Sequence, residues 1–171
     1  MVSAREAEGY NVGGGICGEL NRHTTYFVAR FSQEADGSGL WIGDHPAPGK
    51  SAAVADSSVG MWFRFSGESA RRLQVKVGLS YVSVENARQN LDREIPGWDF
   101  EAMKLAAEGA WEEQLSRIRV AGGSREDFSR FYTALYHVLI QPSIVSDVNG
   151  DYPMAGRTGV GISPEMGDRR E

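Results

Sequence analysis

The sequence predicts an α+β chain in two parts, with the antiparallel strands of a β-sandwich over residues 1–82 and helices over 83–153. Three observations carry that expectation. Period-two alternation of apolar residues fills the first part, and apolar stripes at three- and four-residue steps fill the second. The glycines cluster before residue 82 and after residue 120, leaving the helical stretches between them. A few strands and two or three helices do not bury their apolar faces by themselves. The fold class is therefore a multi-domain fragment: a sandwich portion running into the opening of a larger helical domain, without a complete active site.

The strand elements follow from alternation. Thr24 to Phe31 is aromatic and β-branched, with Phe27, Ala29 and Phe31 on one face. Val59 to Phe65 places Val59, Met61, Phe63 and Phe65 together, and Leu73 to Ser80 is apolar on odd numbers and polar or small on even ones. Asp36-Gly37-Ser38-Gly39, Pro46-Ala47-Pro48-Gly49 and Ser66-Gly67 read as connectors.

The helices follow from caps and spacing. Ser83 caps a short helix through Leu91, and Asp99 caps a second after the Pro96-Gly97 break. Phe100, Met103, Ala107, Trp111, Leu115 and Ile118 form one stripe, which makes Trp111 a core residue. Ser124 and Asp127 stand close to a capping box, although Glu or Gln is the usual last member. Phe128, Phe131, Leu135 and Leu139 (or Val138) make the next stripe, ending at Pro142. Residues 154–171 lose all period and turn polar, as a disordered tail does.

Composition excludes several function classes. A net charge of −5, with acidic and basic residues interleaved, opposes nucleic-acid binding, which needs a local Lys/Arg excess. No stretch approaches the ~20 apolar residues that span a bilayer, and Met1 to Glu8 lacks the apolar segment of a signal peptide. The single Cys17 rules out an internal disulfide or a cysteine-based zinc cluster.

The remaining motifs divide between ordinary structure and a candidate contact. Gly13, Gly15 and Gly18 fit G-x-G-x-x-G, but a strand follows where a dinucleotide site needs a helix. Asp147-Val148-Asn149-Gly150-Asp151 begins like a calcium loop, yet Tyr152 and Thr158 stand where Gly and Glu belong. A turn on Asn149-Gly150 is the better reading. His23, His45 and His137 have no metal-ligand spacing, so no metal residue is assigned. Among the tryptophans, Trp62 lies on the strand face opposite Phe63, while Trp41 reads as a loop residue suited to contacting a sugar. No two carboxylates are marked as converging across a cleft, so no catalytic residue is assigned.

Phe27-Val28-Ala29-Arg30-Phe31 and the run from Val75 through Leu91 resemble the end of the N-terminal β-sandwich of glycoside hydrolase family 92. Trp98-Asp99-Phe100, Trp111 to Leu115, Phe131 to His137, Pro142 and Ser146 to Tyr152 continue the match in order, over about residues 10 to 153. The resemblance implies a calcium-dependent, inverting, exo-acting α-mannosidase acting on α-mannoside glycans, secreted or periplasmic. Its sandwich is joined by a helical linker to an (α/α)6 barrel. The acid, base and calcium ligands belong to the barrel, so calcium is implied for the complete enzyme and none for this fragment. Asp147, in the closing block, is assigned a substrate contact on the same basis. After the matched Tyr, family members carry a Gly- and Asp-containing segment whose Asp helps bind the sugar. Here Tyr152 is followed by Pro153-Met154-Ala155-Gly156-Arg157, as a truncated or frameshifted reading frame would give. The expected partner is the missing barrel. The alternatives are a non-catalytic carbohydrate-binding or scaffold module using Trp41, and a complementing subunit for a separately encoded barrel.

Overall fold

The computed structural model describes residues 1–14, 22–54, 58–154 and 159–162. Cys17 and most of the glycine loop around it lie outside these residues, as does most of the expected disordered tail. The chain forms two compact units, one of residues 1–98 with 145–171 and the other of residues 99–144.

The first unit holds two three-stranded antiparallel sheets. Strands β1 (Glu6–Gly13), β2 (His23–Phe31) and β6 (Val75–Ser80) make one, in the order β1-β2-β6. Strands β3 (Gly37–Ile42), β4 (His45–Pro46) and β5 (Val59–Arg64) make the other, in the order β4-β3-β5. The expected connector at Gly37-Ser38-Gly39 is thus the start of β3. Glycine depresses strand propensity, but here each glycine faces a large planar side chain on the neighbouring strand that covers it. The two sheets meet through Phe31, whose ring centroid lies 4.6 Å from that of Phe63 and 5.3 Å from that of Phe65. Of the face expected to hold Val59, Met61, Phe63 and Phe65, Phe63 and Phe65 thus turn to the other sheet, while Val59 is exposed.

Alternation at β6 has the opposite consequence to the expected one. Its polar and small residues Lys76, Gly78 and Ser80 are buried, while Val75, Val77 and Leu79 are exposed. The reason is helix α1 (Val84–Glu94), which lies on the even-numbered face. Gly78 makes that approach possible: a Cβ there would sit 2.2 Å from the Ala87 carbonyl oxygen and 2.7 Å from Leu91 Cβ. Val84, Ala87, Leu91 and Ile95 form the apolar stripe, and Ala87 and Leu91 close over Val28 in the core of this unit. Full burial of Val28 and Leu91 contributes about 2 kcal/mol each.

The order of layers in this unit is therefore α1, then β1-β2-β6, then β4-β3-β5. Ser83 caps α1 as expected, accepting from the Asn86 amide at 3.0 Å, and the helix runs one turn beyond Leu91.

The second unit is a helical hairpin of α2 (Phe100–Leu115) and α3 (Arg125–Leu139). Asp99 caps α2 through the Ala102 amide. Ser124 and Asp127 close a reciprocal capping box, with Asp taking the place usually held by Glu. Trp111 and Tyr136 meet at 4.5 Å, while the Tyr132 hydroxyl donates to the Ile118 carbonyl, so the helices run antiparallel. Neither helix has a buried residue, which corrects the expectation that Trp111 is core. Its stripe has one neighbouring helix to pack on, too little to enclose an indole.

Past Pro142 the chain returns to the first unit. Strand β7 (Asp151–Pro153) pairs with β8 (Val160–Ile162). Val160 to Ile162 is thus ordered where an aperiodic tail was expected, because its backbone pairs with β7. Residues 163–171 of that tail lie outside the described residues.

Candidate functional site

Among the described residues of the first unit, a dense set of interactions joins β6, α1 and the segment before β7. Asn86 and Asn90 lie one turn apart on α1, and both are buried. Buried asparagines in a helix need partners, and Asp147 supplies them. Its Oδ2 accepts from the Ser80 hydroxyl at 2.7 Å and from Asn86 Nδ2 at 2.8 Å, and its Oδ1 accepts from Asn90 Nδ2 at 2.7 Å. Asn90 also donates to the Leu79 carbonyl at 2.8 Å and accepts from the Val148 amide at 2.9 Å. Asn86 donates to Asp151 as well, at 2.9 Å. The turn itself is the expected one: the Gly150 amide donates to the Asp147 carbonyl at 2.9 Å, with Gly150 at φ 90°.

Asp147 is 4% exposed, and both its oxygens are engaged within the fold. Its observed work is to fasten the 147–151 turn to the sheet and helix. A shallow cleft of about 370 Å³, lined by Gln89, Asp92, Arg93, Val148 and Asn149, opens beside it.

A second cluster holds α1 from its other side. Glu6 on β1 accepts from Arg30 Nε at 2.5 Å and from Arg88, which also donates to Glu8, while Arg30 reaches Asp92. Burial pushes the Glu6 carboxyl up, but the hydrogen bonds and charges of Arg30 and Arg88 outweigh it and hold Glu6 below its ordinary 4.5. Hydrogen bonds to Asp92 and Glu6 raise Arg30 further above its already high value. At the end of α1, Lys76 Nζ donates to the Ile95 carbonyl at 2.7 Å and lies 4.6 Å from the Trp98 ring centre. A cation at a helix C-terminus is favourable on both counts.

This arrangement fastens rather than catalyses. Asp147 and Asp151 each lie within 2.9 Å of the same Asn86 nitrogen. Their two oxygens are therefore less than about 6 Å apart, whereas an inverting pair of carboxyls needs about 6.5–9.5 Å. Among the described residues no three Asp, Glu, His or Cys side chains are grouped so as to hold a metal ion, and the groups around Asp147 are hydrogen-bond donors, the wrong polarity for a cation.

Trp41 is not in a loop. It sits in β3, opposite Gly60, because the sheet register carries β3 through to Ile42. Trp41, Gly39 and Gly37 share a face with Gly60, Trp62 and Arg64, the face turned away from Phe63 and the other sheet. Asp147 lies on the α1 side of β1-β2-β6. The two anticipated sugar contacts are thus on opposite sides of the sandwich and do not form one site. Ser80, Asn86 and Asn90 were not anticipated as a network, although two asparagines at i and i+4 inside a helix were a visible signal.

Strand β6 is thus bolted to the helix that follows it, α1. The glycosyl hydrolase family 92 N-terminal domain matches residues 1–80, and the glycosyl hydrolase family 92 catalytic domain matches residues 86–162. The chain belongs to glycosyl hydrolase family 92. The match runs to residue 162, so it extends past the break expected after Tyr152, consistent with the β7–β8 pairing.

An uncharacterized secreted glycosidase of Arthroderma benhamiae is 38% identical over 96 residues, 54% of this chain and 12% of that protein. A family GH92 α-mannosidase of Bacteroides thetaiotaomicron superposes with a TM-score of 0.74 at 24% identity, over 95% of this chain and 22% of its own. The same enzyme has been solved in complex with mannoimidazole. A family GH92 inverting mannosidase from that organism gives 0.79 at 22% identity, over 93% and 22%. The chain thus spans between an eighth and a quarter of the length of these relatives. Its junction at Ser80–Asn86 falls between the two family domains, where the Ser80, Asn86, Asn90 and Asp147 network sits.

Proposed function

We propose that this chain supplies the domain junction of a secreted family 92 exo-α-mannosidase and is inactive without the rest of the catalytic domain. The observation that carries this reading is the buried network across the boundary between the two family matches. It holds the opening of the catalytic domain to the sandwich. The family resemblance supports an inverting, calcium-dependent hydrolysis of α-mannosides, with α-1,2 linkages as the first substrate to try. Acid, base and calcium ligands come from residues outside those described.

The test has two arms. The purified chain with calcium is expected to leave α-1,2-mannobiose intact, and turnover clearly above blank would overturn the reading. Co-expressed with the remaining catalytic domain of a family 92 relative, it is expected to support hydrolysis that a calcium chelator abolishes. A folded mixture that shows no turnover counts equally against the proposal.

A second reading, carbohydrate binding without catalysis, is favoured by one observation: Trp41 is exposed on a sheet face that the sandwich core does not use.

A further inference from the structure

The outer face of β4-β3-β5 is built from planar groups laid on glycines. The register pairs Gly39 with Trp62, Trp41 with Gly60 and Gly37 with Arg64, all on one face. A Cβ on Gly60 would lie 2.0, 2.1 and 2.6 Å from Trp41 Cζ2, Cε2 and Nε1. On Gly39 it would lie 2.8 to 2.9 Å from Trp62 Nε1, Cε2 and Cζ2, and on Gly37 3.2 Å from Arg64 Nη2. Nε1, Cε2 and Cζ2 of each indole crowd one point above the opposite strand, so each ring covers the glycine across from it. Trp41 stays 38% and Trp62 45% exposed.

Among the described residues, the sandwich core lies on the other side of this sheet. Leu40 is buried on the other side of β3, and Phe63 packs on Phe31 from the other side of β5. Exposing two large rings costs solvation free energy, and a surface that keeps two indoles open on one face suits a ligand with a flat apolar face of its own. We propose that Trp41, Trp62 and Arg64 form a docking platform for an extended mannoside chain. The C–H faces of successive pyranose rings stack on the two indoles, whose electron-rich faces attract the polarised C–H groups. The Arg64 guanidinium donates to ring hydroxyls beyond them. Flat groups recur every two residues along the strand, about 6.7 Å apart, so an extended chain meets more than one.

Two other occupants fit less well. Single-stranded nucleic acid also stacks on aromatic platforms, but it needs cations for its phosphates, and this chain is net −5 with one arginine on the face. A protein partner anchors side chains in pockets, whereas the space above Gly37, Gly39 and Gly60 on this face is already filled by Arg64, Trp62 and Trp41. The ligand class rests on the mannosidase reading above; the platform geometry does not.

The experiment is a titration of the whole chain with mannotriose to mannohexaose, following tryptophan emission. Saturable change is expected, tightening with chain length. Trp41→Ala and Trp62→Ala should each weaken binding at least tenfold, Arg64→Ala severalfold, and Trp111→Phe not at all. Where an alanine variant fails to fold, oxidation of the wild-type indoles by N-bromosuccinimide decides: mannohexaose should protect Trp41 and Trp62. Absence of saturation, equal binding by the folded alanine variants, or unprotected oxidation would each overturn the platform. So would preferential binding of oligo-dT, or a Trp62→Ala variant that loses self-association in sedimentation while sugar binding persists. Sugar binding with no hydrolysis in the co-expression assay would sink the mannosidase reading and leave the platform standing.

Discussion

Asp147 is the residue on which the junction turns. It is the shared acceptor for three side chains from two other elements, and removing it strands the Ser80, Asn86 and Asn90 donors in a buried setting. Each stranded donor costs about 1–3 kcal/mol, so Asp147→Ala should lose about 3 kcal/mol or more in urea denaturation. A change within 0.5 kcal/mol would mean that water replaces the carboxylate. Glu6 makes a pH prediction. Its carboxyl is held below 4.5 in the fold, so its stabilisation is present above the unfolded value and is lost as pH falls through the folded one. Glu6→Gln should flatten the acid limb of the stability curve below about pH 4.5 while leaving its shape unchanged near pH 7. An acid limb that stays as steep in the variant would assign the loss to other carboxylates. Neither role was legible from spacing. Asp147 is read as a substrate contact on the family resemblance, and only the approach of α1 shows that its oxygens are taken.

At the scale of elements, the contact of α1 with β6 decides the fold of the first unit. Gly78 leaves no room for a side chain beneath the Ala87 carbonyl. Because the obstacle is backbone, Gly78→Ala must push the helix outward, with an expected loss of about 2–3 kcal/mol and a lower thermal midpoint. A neutral substitution would show that the helix is not seated as described. Capping was the most legible feature of these elements. Ser83, Asp99 and the Ser124–Asp127 box form as their side-chain chemistry requires, since a cap depends on three or four consecutive residues. β1 carried no such signal. Its two glycines and its acidic and polar residues do not alternate cleanly, and it is a strand because β2 pairs with it from Glu6 to Gly13.

For the whole molecule, the consequence is exposed apolar surface. Val75, Val77 and Leu79 remain open on β6, and Phe100, Leu105 and Val138 on the helical hairpin. Surfaces of this kind drive association. The chain is expected to dimerise or aggregate at micromolar concentration, and Val77→Lys with Leu79→Lys should reduce this in sedimentation velocity without loss of far-ultraviolet dichroism. A monodisperse wild-type monomer with one sharp melt would contradict it. The α+β class, the order of strands before helices and the family were all readable from residues. Alternation and helical spacing record local backbone geometry, and the family motifs are collinear blocks of such local pattern.

What the residues determined by themselves is therefore local: the periods, the caps, the Asn149-Gly150 turn and the family to which their order belongs. The tertiary structure decided which face each element turns inward. It buried Lys76, Gly78 and Ser80 in place of the valines beside them, moved Trp41 from a presumed loop onto a strand, and spent Asp147 on holding a turn. The physical reason is that burial belongs to pairs of elements far apart in sequence. A glycine reads as a break until the ring or helix that needs its missing Cβ is in place.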